Sequence, residues 1–426
     1  MKGRWLTLGI VMAMLAFPVA AQAAGGDLDP TFDGDGRVST GFAGDAHAAG
    51  VVVQADGKIV TAGEVTDPVT GDARFALARY RPNGTLDPTF SGDGKVTTAF
   101  PGVSAQAFAV TLQRDGKIVA AGSGGPGFAL ARYRTDGSLD PTFGGDGRVS
   151  TSLASGGFAK AVVVQADGRI MAAGQRNAGS GDFLFALARY RANGSLDRTF
   201  GGDGRVSTAF PGGLASAQDV AVRRSGQIVV AGSASNPATF RPRFALARYR
   251  SDGTLDPTFG GDGKVNTVFP GGFSEAFGVA LAPNGVIVAA GDTRPGPSDF
   301  MVALARYRPD GSLDPTFGGD GRVSTGFGPG SSSGASDVRI GAGGEIVTAG
   351  SSLPTVTESG FALTRYRPNG KLDPTFGGDG RVTTFFPGGF ARGSALAFQS
   401  DGKIIAVGDV RLGSADFAFA LARYSG

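Results

Sequence analysis

The sequence predicts an all-β fold, a seven-bladed β-propeller of four-stranded antiparallel blades, closed by an N-terminal strand that completes the last blade. Three observations predict it. A unit recurs seven times at spacings of 53 to 59 residues, the range expected of propeller blades. Within each unit the apolar residues follow the period of two that marks strands, and no stretch has a capped helical period. The chain opens with the tail of a unit and finishes just after the third strand of another, so its two ends can share one blade.

The first 23 residues stand apart from the repeats. Lys2 and Arg4 precede an almost wholly apolar run from Trp5 to Ala16, and Pro18 leads to Ala21-Gln22-Ala23. A basic head, a short apolar run and a small-x-small end describe a secretory signal peptide with cleavage after Ala23, which places the chain in the periplasm or outside the cell. The run is too short for a membrane span, and no longer one follows. Residues 24–426 then form a single propeller. Removal of Lys2 and Arg4 leaves 38 basic residues against 37 acidic ones. That balance excludes the clustered positive charge of a nucleic-acid binder.

Leu-Asp-x-Thr-Phe begins at Leu28, Leu86, Leu139, Leu196, Leu255, Leu313 and Leu372. A second element, Phe-Ala-Leu-Ala-Arg-Tyr at Phe75–Tyr80, recurs in each unit and accounts for all seven tyrosines. In the first unit "AGVVVQ" reads as a strand, Asp56-Gly57 as a tight turn and "KIVTAG" as the returning strand. After a variable loop, "FALARYR" alternates as the third strand, and "NGTLDPTFSGDG" turns the chain into the fourth. A solenoid would also explain a period, but its repeats are usually shorter and its terminal units atypical. At the N-terminus "LDPTFDGDGRVSTGF" is a fourth strand without the first three, so Arg37 to Phe42 is expected to complete the final blade.

The Asp- and Gly-rich connection resembles a calcium loop only in composition. An EF-hand needs acids at alternate positions and a glutamate six residues after its glycine, and Asp314, Pro315 and Thr316 do not supply that spacing. A nonapeptide calcium repeat fails at Val323. The structural reading is an Asx-type turn at Asp314, with Pro315 fixing φ and Phe317 as a buried wedge. The repeated arginine (Arg79, Arg132, Arg189, Arg248, Arg306, Arg365, Arg423) is expected to pair with an aspartate of its own or the next blade's turn.

The elements "LDPTFGGDGRVST", "QADGKIVTAG" and "ALARYRPDGS" resemble the delta-60 repeat family of bacterial secreted and surface proteins. The resemblance covers essentially all of residues 24–426. It implies a β-propeller repeat and no particular activity, so it carries no catalytic residues.

Composition restricts the chemistry. His47 is the only histidine and there is no cysteine, so zinc or iron sites rich in histidine or cysteine are excluded, and no metal or cofactor is expected. A Ser-His-Asp triad would have to use His47, which reads as an exposed loop residue. Carboxylate-only chemistry needs just two acids, for which Glu64, Asp67, Asp72, Glu275, Asp292, Asp299 and Asp409 are candidates. The seven units differ mainly on one face. The loops between second and third strands are dissimilar, and the position nine residues before each hairpin turn reads His47, Gln106, Phe158, Ser216, Glu275, Gly334 and Arg392. A varied ring over a constant scaffold is where recognition is placed. The sequence therefore reads as a secreted, non-catalytic binding or structural module for a protein or small polar ligand. The alternative is a carboxylate-dependent hydrolase or lyase acting on a polysaccharide. The only tryptophan is Trp5 and every tyrosine lies in the repeat motif, which leaves phenylalanine for stacking on a sugar.

Overall fold

A computed structural model describes residues 24–426 apart from 180, 236–237, 297–298, 356–357 and 414–415. The expected signal peptide falls on residues 1–23, outside the described residues. The described chain forms seven four-stranded antiparallel sheets, each with its strands in chain order except the last. That sheet is completed by Arg37–Thr40, which pairs with Asp416–Tyr424 through Arg37 opposite Ala422 and Thr40 opposite Phe419. The innermost strands, Ala46–Val53, Ala105–Leu112, Gly157–Val164, Ala215–Val222, Ser274–Leu281, Ser332–Ile340 and Ala391–Phe398, pack side by side in a ring. Blades 1 to 7 are numbered in that order. Among the described residues there is no helix, and so none long and apolar enough to cross a membrane.

The alternation of the third strand has a different meaning from that of a half-exposed sheet. Ala73–Tyr80 is buried at every position except Arg74. Period two sorts large residues from small ones onto two faces, and a neighbouring blade covers each face. Phe75 and Leu77 enter one interblade core with Phe90 and Tyr133, while Ala76, Ala78 and Tyr80 enter the adjacent one with Phe32.

The repeated arginine forms a latch. Arg79 Nε lies 2.9 Å from Asp87 Oδ2, and its Nη2 donates to Thr89 Oγ1 at 2.9 Å. Its guanidinium sits 4.7 Å above the Phe90 ring, and its Nη1 donates to the Thr135 carbonyl of the next blade. The Arg–Asp pair and the arginine over the wedge phenylalanine recur in all seven blades. Asp87 Oδ1 accepts from Thr89 N and Oγ1, the Asx turn expected of the loop. Asp314 Oδ1 accepts from Thr316 in the same way, and its Oδ2 faces Arg306 at 3.0 Å. The carboxylates that looked like calcium ligands are thus engaged by the protein itself. The wedge also explains a glycine. Gly84 has φ +93°, and a Cβ there would come within 3.1 Å of the Phe32 ring of the preceding blade, so only glycine suits both the left-handed backbone and the ring. Each tyrosine hydroxyl closes the same interface by bonding to a threonine on the preceding outer strand, as Tyr133 does to Thr98 at 2.8 Å.

The latch predicts acid lability. Burial alone would raise the Asp87 carboxyl, but hydrogen bonds from Thr89 and the charge of Arg79 outweigh it and hold the pKa at about 2. Asp29 is held at about 2 by the corresponding bonds from Thr31, with Lys403 and Arg423. A folded pKa below the unfolded value of about 3.9 gives stability that is present above that value and lost as pH falls through the folded pKa. Melting temperature is therefore expected to hold down to about pH 4 and fall steeply between about 4 and 2. A flat profile through that window in calorimetry would contradict the latch as a source of stability.

Candidate functional site

Every innermost strand carries a β-bulge that leaves one residue out of register: Ala49, Phe108, Lys160, Gln218, Phe277, Ser336 and Ser394 in blades 1 to 7. A bulge re-aims the unpaired side chain, and all seven of these residues line a central cavity of about 280 Å3. On the second strand a glycine faces the bulge. A Cβ on Gly63 would meet the His47 carbonyl oxygen at 1.9 Å, and Gly122, Gly174, Gly232, Gly291, Gly350 and Gly408 repeat the contact. This close approach fixes the residue two positions before the bulged one at the mouth of the channel.

That residue is the varied ring position of each blade. His47, Gln106, Phe158, Ser216, Glu275, Gly334 and Arg392 lie on the innermost strands, directly opposite Glu64, Ser123, Gln175, Ser233, Asp292, Ser351 and Asp409. The expectation that His47 is an exposed loop residue is corrected: it is a half-buried strand residue. The second-strand residue of one blade meets the ring residue of the next. Glu64 is hydrogen-bonded by Gln106, Glu275 by Ser233, and Asp409 faces His47. Direct opposition in the register also places Glu275 beside Asp292 within blade 5.

Two ionisable clusters result. At the junction of blades 7 and 1, His47 Nδ1 lies 3.5 Å from Asp409 Oδ2, and the His47 ring packs 4.9 Å from Phe417. The hydrogen bond to Asp409 raises the His47 pKa, while burial raises that of Glu64. Lys160, two blades on, lies 3.9 Å from the Phe108 ring and 5.2 Å from that of Phe158, and burial lowers its pKa. In the second cluster, burial and then the neighbouring Glu275 push Asp292 up to about 7. Asp292 Oδ1 is buried with no hydrogen-bond partner among the described residues. It lines a cavity of about 290 Å3 between blades 5 and 6, with Phe277, Phe300, Ser332, Ser333 and Ser351. The ring position of blade 6 is Gly334, whose missing side chain leaves this space open.

Of the seven candidate acids, four enter these clusters. Asp67 is instead bound by its own loop, accepting from Val69 and Thr70 N and pairing with Arg74 at 2.6 Å. Asp72 and Asp299 line neither cavity. Gly330 to Gly334 has the spacing G-x-S-x-G, but it leads into the strand Ser332–Ile340 and not a helix, so it builds no nucleophile elbow. Two further acids were not singled out from the sequence. Asp219 Oδ2 accepts from Val279 N, and Asp337 Oδ2 from Leu396 N. Each clips its blade to the next beneath the mouth. The bulge ring was missed because a bulge is a backbone event with no residue signature; its varied composition two positions beyond the His47 ring was the available signal.

Fold and repeats define a β-propeller repeat protein. Residues 54–90, 113–143, 165–200, 224–259, 282–317 and 344–376 match the family described as "Domain of unknown function (DUF5122) beta-propeller". No curated protein matches the chain. Among solved structures, virginiamycin B lyase from Staphylococcus aureus aligns at 10% identity over 91% of this chain and 98% of its own, with a TM-score of 0.51. An alpha-L-arabinofuranosidase from Fusarium graminearum aligns at 11% identity, TM-score 0.47, over 91% of this chain and 97% of its own. Drosophila semaphorin 1b aligns at 10% identity, TM-score 0.47, over 93% and 87%. At these identities the likeness concerns the fold alone.

Proposed function

We propose that this propeller is a secreted or periplasmic binding module that takes a small, hydroxyl-rich ligand at the variable-face mouth of its channel, and that its repeats are of the delta-60 type. The observation that carries the reading is the cavity beside Asp292. Asp292 Oδ1 and Ser333 Oγ are both buried without partners and both line it. Buried polar atoms left unpaired cost about 1–3 kcal/mol each, a cost that a ligand hydroxyl donating to Asp292 and accepting from Ser333 would relieve. Phe277 and Phe300 offer the apolar wall, and phenylalanine is the only stacking residue available there. The absence of cysteine from the sequence agrees with secretion through residues 1–23.

A second reading rests on Glu275 and Asp292. Two carboxyls opposed across adjacent strands, one pushed up to about 7, are the raw material of glycoside hydrolysis, in which one acid is protonated and the other ionised. Titration calorimetry against a panel of monosaccharides, disaccharides and polyols distinguishes these. The expected result is saturable binding of at least one sugar, weakened about 10-fold or more by Asp292→Asn and abolished by Gly334→Leu, which fills the space. Release of reducing ends that disappears in both Glu275→Gln and Asp292→Asn would favour the hydrolase. Binding unaffected by either cavity variant would overturn the placement of the site.

A further inference from the structure

The junction of blades 7 and 1 holds the only histidine of the sequence against the buried carboxylate of Asp409. We propose that His47 and Asp409, with Arg392 and Glu64, form a proton-transfer site for acidic carbohydrate, acting on uronate-containing polymers by β-elimination. The proposal rests on the mouth being the ligand face and deepens that reading by naming a substrate class and a reaction.

The argument starts from Asp409. It is 6% exposed, and its Oδ2, which has no other hydrogen-bond partner among the described residues, faces His47 Nδ1 at 3.5 Å. The structural aspartates of the latch each hold a threonine and an arginine; Asp409 holds neither. A buried carboxylate aimed only at an imidazole fixes the ring and its tautomer, with the proton on Nδ1 and the lone pair on Nε2. His47 Nε2 has no hydrogen bond to the described residues, and the side chain is 33% exposed. That is the geometry of an oriented general base whose accepting atom is unoccupied.

Arg392 supplies the charge selection. It is the ring residue of blade 7 and stands opposite Asp409 in the register, yet it forms no ion pair or hydrogen bond with the described residues. It is held instead over aromatic rings, 5.5 Å from Phe390 and 5.9 Å from Phe417, the same ring that His47 packs against. An unpaired guanidinium sharing an aromatic platform with the base suits a substrate carboxylate placed beside it. Glu64, opposite His47, is the acid. Its Oε2 is buried without a partner, and burial favours its protonated form.

The chemistry balances without a redox partner. Arg392 neutralises the substrate carboxylate, which makes the adjacent C–H acidic. His47 Nε2 takes that proton, and the C–H electron pair becomes the new C=C bond. The bond from the next carbon to its glycosidic oxygen breaks, its electron pair leaving with the oxygen, which receives the proton of Glu64. The proton on His47 then returns to Glu64 through water.

The test offers the full protein polygalacturonate, alginate, hyaluronan and glucuronan. It follows unsaturated uronate ends by ultraviolet absorbance, and product mass, since an elimination product is lighter by one water than a hydrolysis product. At least one polymer is expected to yield unsaturated ends. His47→Ala, or His47→Gln if the first does not fold, should lower the rate about 100-fold or more. Arg392→Gln should raise KM and lower kcat together, because the guanidinium both binds the substrate carboxylate and acidifies the adjacent C–H. Asp409→Asn tests a positioning residue. The groups facing His47 are Asp409, Glu64 and Asp45, with Arg392 across Phe417. Asp409 raises the His47 pKa, so removing its charge should move the acidic limb of kcat/KM to lower pH as well as lowering kcat. No unsaturated product from any polymer, or turnover that survives the loss of His47, overturns the proposal. Sugar binding that depends on Asp292 without any elimination would overturn this inference alone and leave the binding function standing.

Discussion

Removing residues 24–42 is expected to abolish the cooperative fold and leave an aggregating chain. The segment supplies more than the outer strand Arg37–Thr40. Asp29 pairs with Arg423 at 2.8 Å, Thr31 accepts from Arg423 Nη2 at 2.7 Å, and Phe32 lies 4.7 Å beneath the same guanidinium. It thereby rebuilds in blade 7 the latch that every other blade makes from consecutive sequence. Thr40 accepts from Tyr80 of blade 1 at 2.9 Å, so the segment touches both sides of the seam. Burying Phe32 contributes about 1.5–3 kcal/mol, and stranding the buried Arg423 costs about 3–5 kcal/mol more. That loss is comparable with the whole stability of an ordinary domain. It also bares the edge of Asp416–Tyr424 for intermolecular pairing. Size-exclusion chromatography and calorimetry check this; a truncated monomer melting cooperatively at the full-length temperature would refute velcro closure.

Arg189→Ala is expected to destabilise the protein by about 3–5 kcal/mol, several times the effect of Arg205→Ala, which should stay below about 1 kcal/mol. Arg189 and its partner Asp197 are 4% and 1% exposed. The guanidinium bonds Asp197 at 2.8 Å, Thr199 at 2.9 Å and the Ser251 carbonyl of blade 4, over the Phe200 ring. Truncation leaves Asp197 buried with only exposed Arg169 and Arg191 nearby. Arg205 also pairs, with Asp203 at 2.9 Å, but there the side chains are 38% and 55% exposed and water screens the attraction. Urea unfolding of the two variants measures the difference. Equal effects would mean that the latch holds the blades no better than a surface ion pair.

The latch was legible because it is written seven times. Arg, Asp, Thr and Phe recur at fixed offsets, and a charge repeated in a buried strand must find a partner each time. The candidate site was legible only as a ring of variation. His47 to Arg392 could be marked as the place where blades differ, but His47 was misread as a loop residue because the strand had been started too late. Nothing in one dimension says that Glu64 faces Gln106, that Asp409 faces His47, or that Gly334 opens a cavity beside Asp292, since those neighbours sit in adjacent blades.

Local physics explains the division. Turn chemistry, strand period and the wedge phenylalanine act within one unit, so sequence alone determined the blade, its number, and the N-terminal strand that closes the ring. The curvature of the ring decides which blade's second strand meets which blade's first, and the bulge on each innermost strand decides which side chain enters the channel. Both are properties of packed sheets: a backbone kink and an interblade approach close enough to require Gly63 and its six counterparts. Only tertiary structure could bring one histidine, one unpaired arginine and four acids, scattered from His47 to Asp409, to a single mouth.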